Sequence, residues 1–261
     1  MRAIPENNLY SPILVHVKCE DRPDTFASGF QLAAGGHIYF VTAKHVLSDA
    51  NGALLSDATV DLRSYHGEAE RGCWRFQLDI GHLQATGKVK AHETLDVAVI
   101  KLVSAESPFP ELADGVTLLE RCKAKMICID AEKAIKRFDE VLVSNDVYVF
   151  GYPRSIGLQD SPQIEYDKPL LRKGTIAGKN TQLKTLILDC PTYPGNSGGP
   201  VAEVEEEGRS RQFRVVGVVS QFVPVVEKWT GSLYGVPGIE FTNSGYSIAI
   251  PMDPVLDLLT L

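Results

Sequence analysis

The chain has 261 residues, of which 44% are hydrophobic and 23% charged. That is ordinary globular usage, with enough length for a core that needs no metal or disulfide, and it excludes a disordered chain, a collagen or a coiled coil. The net charge of −7 argues against nucleic acid as the main partner, and no apolar run of about 18 residues marks a membrane span.

The N-terminus, Met1 to Asn8, has one basic residue and no apolar stretch, so it reads as a poor signal peptide. Five widely spaced cysteines (Cys19, Cys73, Cys122, Cys128, Cys190) fit reduced, mostly buried thiols rather than a disulfide framework, and point to a cytoplasmic location. His16, His37, His66, His82 and His92 show no ligand spacing, so neither a metal nor a cofactor is expected.

Short apolar runs bounded by turn residues dominate. A first set of predicted strands covers Ile13–Lys18, Ala27–Leu32, His37–Thr42, Thr59–Arg63, Trp74–Asp79, Ala85–Ala91 and Val97–Leu102. Ser104–Asn145 follows as a connection, with a charged stretch, Glu120–Arg137, able to hold a short helix. A second set covers Asp146–Tyr152, Leu170–Lys179, Thr185–Asp189, Gly199–Val204, Phe213–Phe222 and Gly245–Ile250. Between the last two lies Pro224–Ser244, read as a surface loop or as a flap over the site. Glu203–Arg211 reads as an exposed hairpin tip. Asp253 before Pro254 reads as an N-cap opening a terminal helix whose leucines pack on the second half. The pattern predicts an all-β chain with residues 1–105 and 146–261 as two β halves, joined by 106–145.

Three segments carry the chemistry: Phe40-Val41-Thr42-Ala43-Lys44-His45-Val46, Leu95-Asp96-Val97-Ala98-Val99-Ile100-Lys101-Leu102, and Pro194-Gly195-Asn196-Ser197-Gly198-Gly199-Pro200-Val201. Singly they read as a packed histidine, a strand-opening aspartate and a tight turn. Together they supply what a serine nucleophile needs: an imidazole to take its proton, a carboxylate to orient that imidazole, and backbone N–H groups for the developing oxyanion. Asp79 and Glu93 stay open as alternatives to Asp96.

In the order His, Asp, Ser these motifs resemble trypsin-like serine proteases of the chymotrypsin fold. The serine motif and Val147-Tyr148-Val149-Phe150-Gly151-Tyr152-Pro153 are closest in style to the HtrA-type bacterial branch. The resemblance implies two six-stranded antiparallel Greek-key barrels with a short C-terminal helix. It implies a serine endopeptidase acting on polypeptides, with Ser197 as nucleophile, His45 as base and Asp96 as orienting carboxylate. The N–H groups of Gly195 and Ser197 would form the oxyanion hole. Ser220, Gln221 and Phe222 would meet the substrate backbone, with Pro191 at the floor of the specificity pocket and Gly245 on its wall. An uncharged Pro191 disfavours arginine and lysine there, and Phe222 favours small or medium apolar residues.

The departures also matter. Val46 stands where secreted relatives carry a paired cysteine, and Asn196 cannot receive a cleaved N-terminal amine as their aspartate does. Too few residues follow Ala249 for the PDZ domain common in the HtrA branch, so control falls to loop ordering or a regulatory protein partner. Two other readings use the same residues: a catalytically silent peptide-binding module, and an acyl hydrolase of small esters.

Overall fold

The computed structural model describes residues 6–67, 73–104, 111–123, 125–154, 161–207, 210–230 and 237–260. Alternating apolar residues set its first strands. β1 (Pro12–Cys19), β2 (Arg22–Ala34), β3 (His37–Thr42), β4 (Thr59–Ser64) and β5 (Arg75–Asp79) turn one face inward. A helix not foreseen in sequence, α1 (Ile80–Ala85), then fills the gap between the predicted strands Trp74–Asp79 and Ala85–Ala91, taking Ala85 from the second. Asp79 is the reason: its carboxylate caps α1 by accepting the His82 N–H at 2.9 Å. β6 (Val89–Ala91) and β7 (Ala98–Ser104) complete the first set.

The connection is irregular, and among its described residues Glu120–Arg137 forms no helix. It carries β8 (Glu111–Leu112), β9 (Val116–Glu120) and β10 (Ile129–Asp130), then a short 3-10 turn at Phe138–Glu140. These strands enlarge the first sheet beyond the six expected. Its path runs β6-β7-β3-β2-β1-β4-β5-β9, with β8 added on β7 and β10 lying parallel to β2.

The second half is a closed barrel of six strands in the order β11-β12-β13-β16-β15-β14. Its members are β11 (Asp146–Gly151), β12 (Leu170–Asn180), β13 (Thr185–Asp189), β14 (Pro200–Glu207), β15 (Ser210–Thr230) and β16 (Pro237–Pro251). Pro224–Ser244 is therefore no plain loop. Its described residues extend β15 and β16 as a two-stranded ribbon. The tip of the Glu203–Arg211 hairpin, residues 208–209, lies outside the described residues.

Three cores hold the molecule together. One fills the first sheet around Phe40, Leu62, Phe76 and Leu78. Another fills the barrel around Val149, Ile176, Leu188 and Val216. The third joins both halves, packing Phe30, Val41 and Val99 with Val215, Ile250 and the terminal helix α2 (Met252–Thr260). α2 thus packs on both halves rather than on the second alone. It starts two residues earlier than the sequence suggests, at Met252 rather than Pro254. Asp253 instead accepts the Phe138 N–H at 2.7 Å, tying α2 to the connection.

Candidate active site

His45 sits in a 3-10 turn, Lys44–Val46, at the end of β3. Lys44 pins that turn by donating from Nζ to the carbonyls of His92 (3.0 Å) and Glu93 (3.3 Å). The His92 ring in turn accepts the Leu95 N–H at 3.0 Å, shaping the loop that delivers Asp96. The result is a two-point grip. Asp96 Oδ2 lies 2.8 Å from His45 Nδ1, and Oδ1 accepts the His45 N–H at 2.9 Å. The structure thus brings Asp96 to His45, while Asp79 is spent on its helix cap.

Ser220 adds a third contact that the sequence reading missed. β15 bulges between Val219 and Gln221, taking Ser220 out of the ladder. Its hydroxyl donates to Asp96 Oδ2 at 2.5 Å, and its carbonyl accepts the Ser197 hydroxyl at 3.2 Å. Burial pushes the Asp96 carboxyl toward protonation. The His45 ring, the Ser220 hydroxyl and the His45 N–H outweigh it and hold the group below the usual carboxylate range.

The turn before β14 presents Ser197. Gly195 has φ +97°, and a Cβ there would run into the Tyr152 carbonyl and the Arg154 N–H. The Arg154 N–H donates to the Pro194 carbonyl at 2.8 Å. The trans peptide then turns the Gly195 N–H the opposite way. Among the described residues, neither that N–H nor the one of Ser197 has an acceptor within the chain. Asn196 is buried, and its side-chain oxygen accepts the Tyr193 N–H at 3.0 Å, closing the turn on itself.

Ser28, on β2 in the other half, was not foreseen either. It is fully buried, and its hydroxyl donates to the Gly195 carbonyl at 2.7 Å while accepting the Tyr152 N–H at 2.9 Å. Its own N–H donates to the Ser197 carbonyl at 2.8 Å. One side chain thus fixes the serine turn across the two halves. The only sequence signal was a polar residue inside an apolar strand.

His45, Asp96 and Ser197 line one cavity of about 700 Å³ together with Thr192, Tyr193, Pro194, Ser220, Gln221 and Phe222. Pro191 and Gly245, placed there by counting along the sequence, do not line it. The turn buries Thr192 instead, and Asn243 Nδ2 holds the Thr192 carbonyl at 2.7 Å. Among the described residues Asp96 is the only acidic one lining it. Among the described residues no group of three His, Cys, Asp or Glu side chains could hold a metal ion, and no helix is long and apolar enough to cross a membrane.

Comparison with known proteins agrees with this architecture. The chain superposes on the HtrA-type protease AlgW solved with a tripeptide (16% identity, TM-score 0.51), covering 97% of this chain and 60% of that one. It superposes on Deg5 (15% identity, TM-score 0.52), covering 97% of this chain and 88% of that one. A thermostable serine protease, AL20, from an extremophilic microorganism gives 14% identity and TM-score 0.51 over 94% of this chain and 92% of that one. At these identities the likeness shows the chymotrypsin-like fold, and the chain spans only 60% of the length of AlgW. No curated protein sequence matches. The family model of the trypsin-like peptidase domain matches residues 27–218, from β2 through the Ser197 turn into β15, so the chain belongs to the trypsin-like peptidase family.

Proposed function

We propose that the chain is an endopeptidase that cleaves polypeptides through an acyl-enzyme formed on Ser197. The observation that carries the reading is the linked set His45–Asp96–Ser220–Ser197 at the mouth of one cavity. With Nδ1 held by Asp96, His45 offers Nε2 as the base. The Ser197 hydroxyl turns from the Ser220 carbonyl to that nitrogen, which takes its proton as Oγ attacks the scissile carbonyl. The Gly195 and Ser197 N–H groups receive the oxyanion. The tetrahedral intermediate collapses, and His45 gives its proton to the leaving amine. Water then repeats the sequence in reverse and frees Ser197.

Specificity follows from the cavity walls. Asp96, the only acid there among the described residues, is committed to His45 and Ser220. A cationic side chain would find no carboxylate partner, so small or medium apolar residues fit best before the scissile bond. Phe222 narrows the entrance, and a Phe222→Gly variant should accept Phe or Tyr more readily in a peptide library.

The deciding experiment labels the purified chain with a fluorophosphonate and follows casein and peptide cleavage. Labelling and cleavage are expected, and both should be lost in Ser197→Ala. Labelling without peptide cleavage would favour an acyl hydrolase of small esters. No labelling would leave a binding module.

A further inference from the structure

β15 and β16 leave the barrel together. Beyond a bulge at Val223, whose carbonyl accepts the Ser244 hydroxyl at 2.6 Å, Val225 pairs with Thr242, Val226 with Phe241, Glu227 with Glu240 and Lys228 with Ile239. β14 leaves β15 at Val218, so among the described residues the second edge of β15 carries no strand from there to Thr230. An isolated two-stranded ribbon is marginal in water, and an open edge is a template for another chain.

The ribbon is also apolar where it should be wet. Phe241 and Ile239 are 66% and 59% exposed and share a face with Val226. On the other face Trp229, opposite Gly238, is 55% exposed. The same β15 lines the active-site cavity at Val219, Ser220, Gln221 and Phe222. Apolar face, open edge and cavity are therefore continuous along one strand.

We infer that this ribbon is the outer part of the substrate track, a reading that rests on the endopeptidase function proposed above. His45 protonates the leaving amine, so the C-terminal side of the substrate lies toward His45. The N-terminal side must leave the cavity along β15. There it adds as an extended strand to the open edge and lays apolar side chains against Val226, Ile239 and Phe241. The seven residues Pro224–Thr230, at about 3.3 Å each, reach roughly 23 Å past the cavity. The chain selects long extended segments with apolar residues well upstream of the cut.

The test uses two fluorogenic peptides with identical residues around the scissile bond. One stops at about three residues upstream, and the other continues for about ten with alternating apolar side chains. The longer peptide should show kcat/KM raised about tenfold or more. N-methylation of its outer residues should erase the gain, because it removes backbone donors. Two variants follow: residues 226–241 replaced by an Asn-Gly turn, and Val226→Asp combined with Phe241→Asp. Both should label with fluorophosphonate and cleave the short peptide as before, yet lose the gain from length.

Equal kcat/KM for the two peptides, or an undiminished gain in both variants, overturns the inference. So does a ribbon variant that converts a dimer to a monomer in light scattering while length has no effect, since the occupant is then a second copy. If the intact chain cleaves no peptide, the endopeptidase reading and this inference fall together. Cleavage without length dependence removes this inference alone.

Discussion

Ser220 and Ser28 divide the work around Ser197. Ser220 gives Asp96 Oδ2 a second donor beside the His45 ring. Ser220→Ala should lower kcat by about tenfold with little change in KM, because one hydrogen bond to a charged group contributes about 1.5–3 kcal/mol at most. An unchanged kcat would remove Ser220 from the mechanism. Asp96→Asn is the harsher change, expected to cost about 10⁴-fold through the wrong imidazole tautomer. Asp96 also leaves a signature in stability. Its carboxyl is held below the value of about 3.9 found in an unfolded chain. The stabilisation is therefore present above that value and lost as pH falls through the lower, folded one. Acid denaturation should be shallower in Asp96→Asn; an identical acid limb would contradict the assignment. Ser28 acts on geometry instead. Ser28→Ala strands the buried Tyr152 N–H and releases the Gly195 carbonyl. It should cost about 1–3 kcal/mol of stability and slow fluorophosphonate labelling more than it raises KM. That His45, Asp96 and Ser197 would line one cavity was legible because nucleophile chemistry calls for those residue types in recognisable local motifs. Ser28 was not, and Ser220 was read only as meeting the substrate backbone, since their side-chain contacts are set by neighbours 167 and 124 positions away in sequence.

Elements were readable wherever apolar alternation was strong, and less so where polar contacts override it. α1 fills a gap between two predicted strands because Asp79 caps it, and it takes only Ala85 from the second. Asp253, read as a cap for its own helix, serves the connection instead. The connection shows the same override at larger cost. Lys136 lies buried on it and pairs with fully buried Glu203 at 2.8 Å and with Glu205, both on β14. Asn145 donates its side-chain amide to the other Glu203 oxygen. Burial alone would lower the lysine's affinity for its proton, but the two glutamates raise it overall. That contribution is complete below the ordinary value of about 10.4 and disappears as pH rises through the raised one. Removing one partner leaves a buried charge, so Lys136→Met should destabilise the chain by about 3–5 kcal/mol in urea titration. Adding Glu203→Gln removes the stranded charge, keeps an acceptor for Asn145, and should recover part of the loss. If Lys136→Met is neutral, the network does not anchor the connection to the barrel.

At the scale of the molecule, the site exists only while both halves hold their places. His45 and Asp96 sit on connections of the first half, and Ser197 on the turn entering β14 of the barrel. The sequence shows two sets of strands but not what welds them. The weld is the shared core, in which Phe30, Val41, Val97 and Val99 from one half meet Val215, Val218 and Ile250 from the other, with Met252, Val255 and Leu258 of α2 packed over the seam. Separate cores in each half would allow stepwise unfolding, whereas a common apolar core couples the halves. Leu258→Ala should therefore lower the stability of the whole chain, by about 2–5 kcal/mol, rather than release α2 alone. Trp74 reports the first half, and a Trp229→Phe background silences the ribbon. In that background, urea unfolding followed by Trp74 fluorescence and by far-ultraviolet dichroism should give one coincident transition, which Leu258→Ala moves as a unit. Hydrogen exchange should show β3 and β13 losing protection together. If Trp74 fluorescence changes at a lower urea concentration than the dichroism, the halves are independent, and the Ser28 and Ser220 contacts would have to hold the site together without the seam.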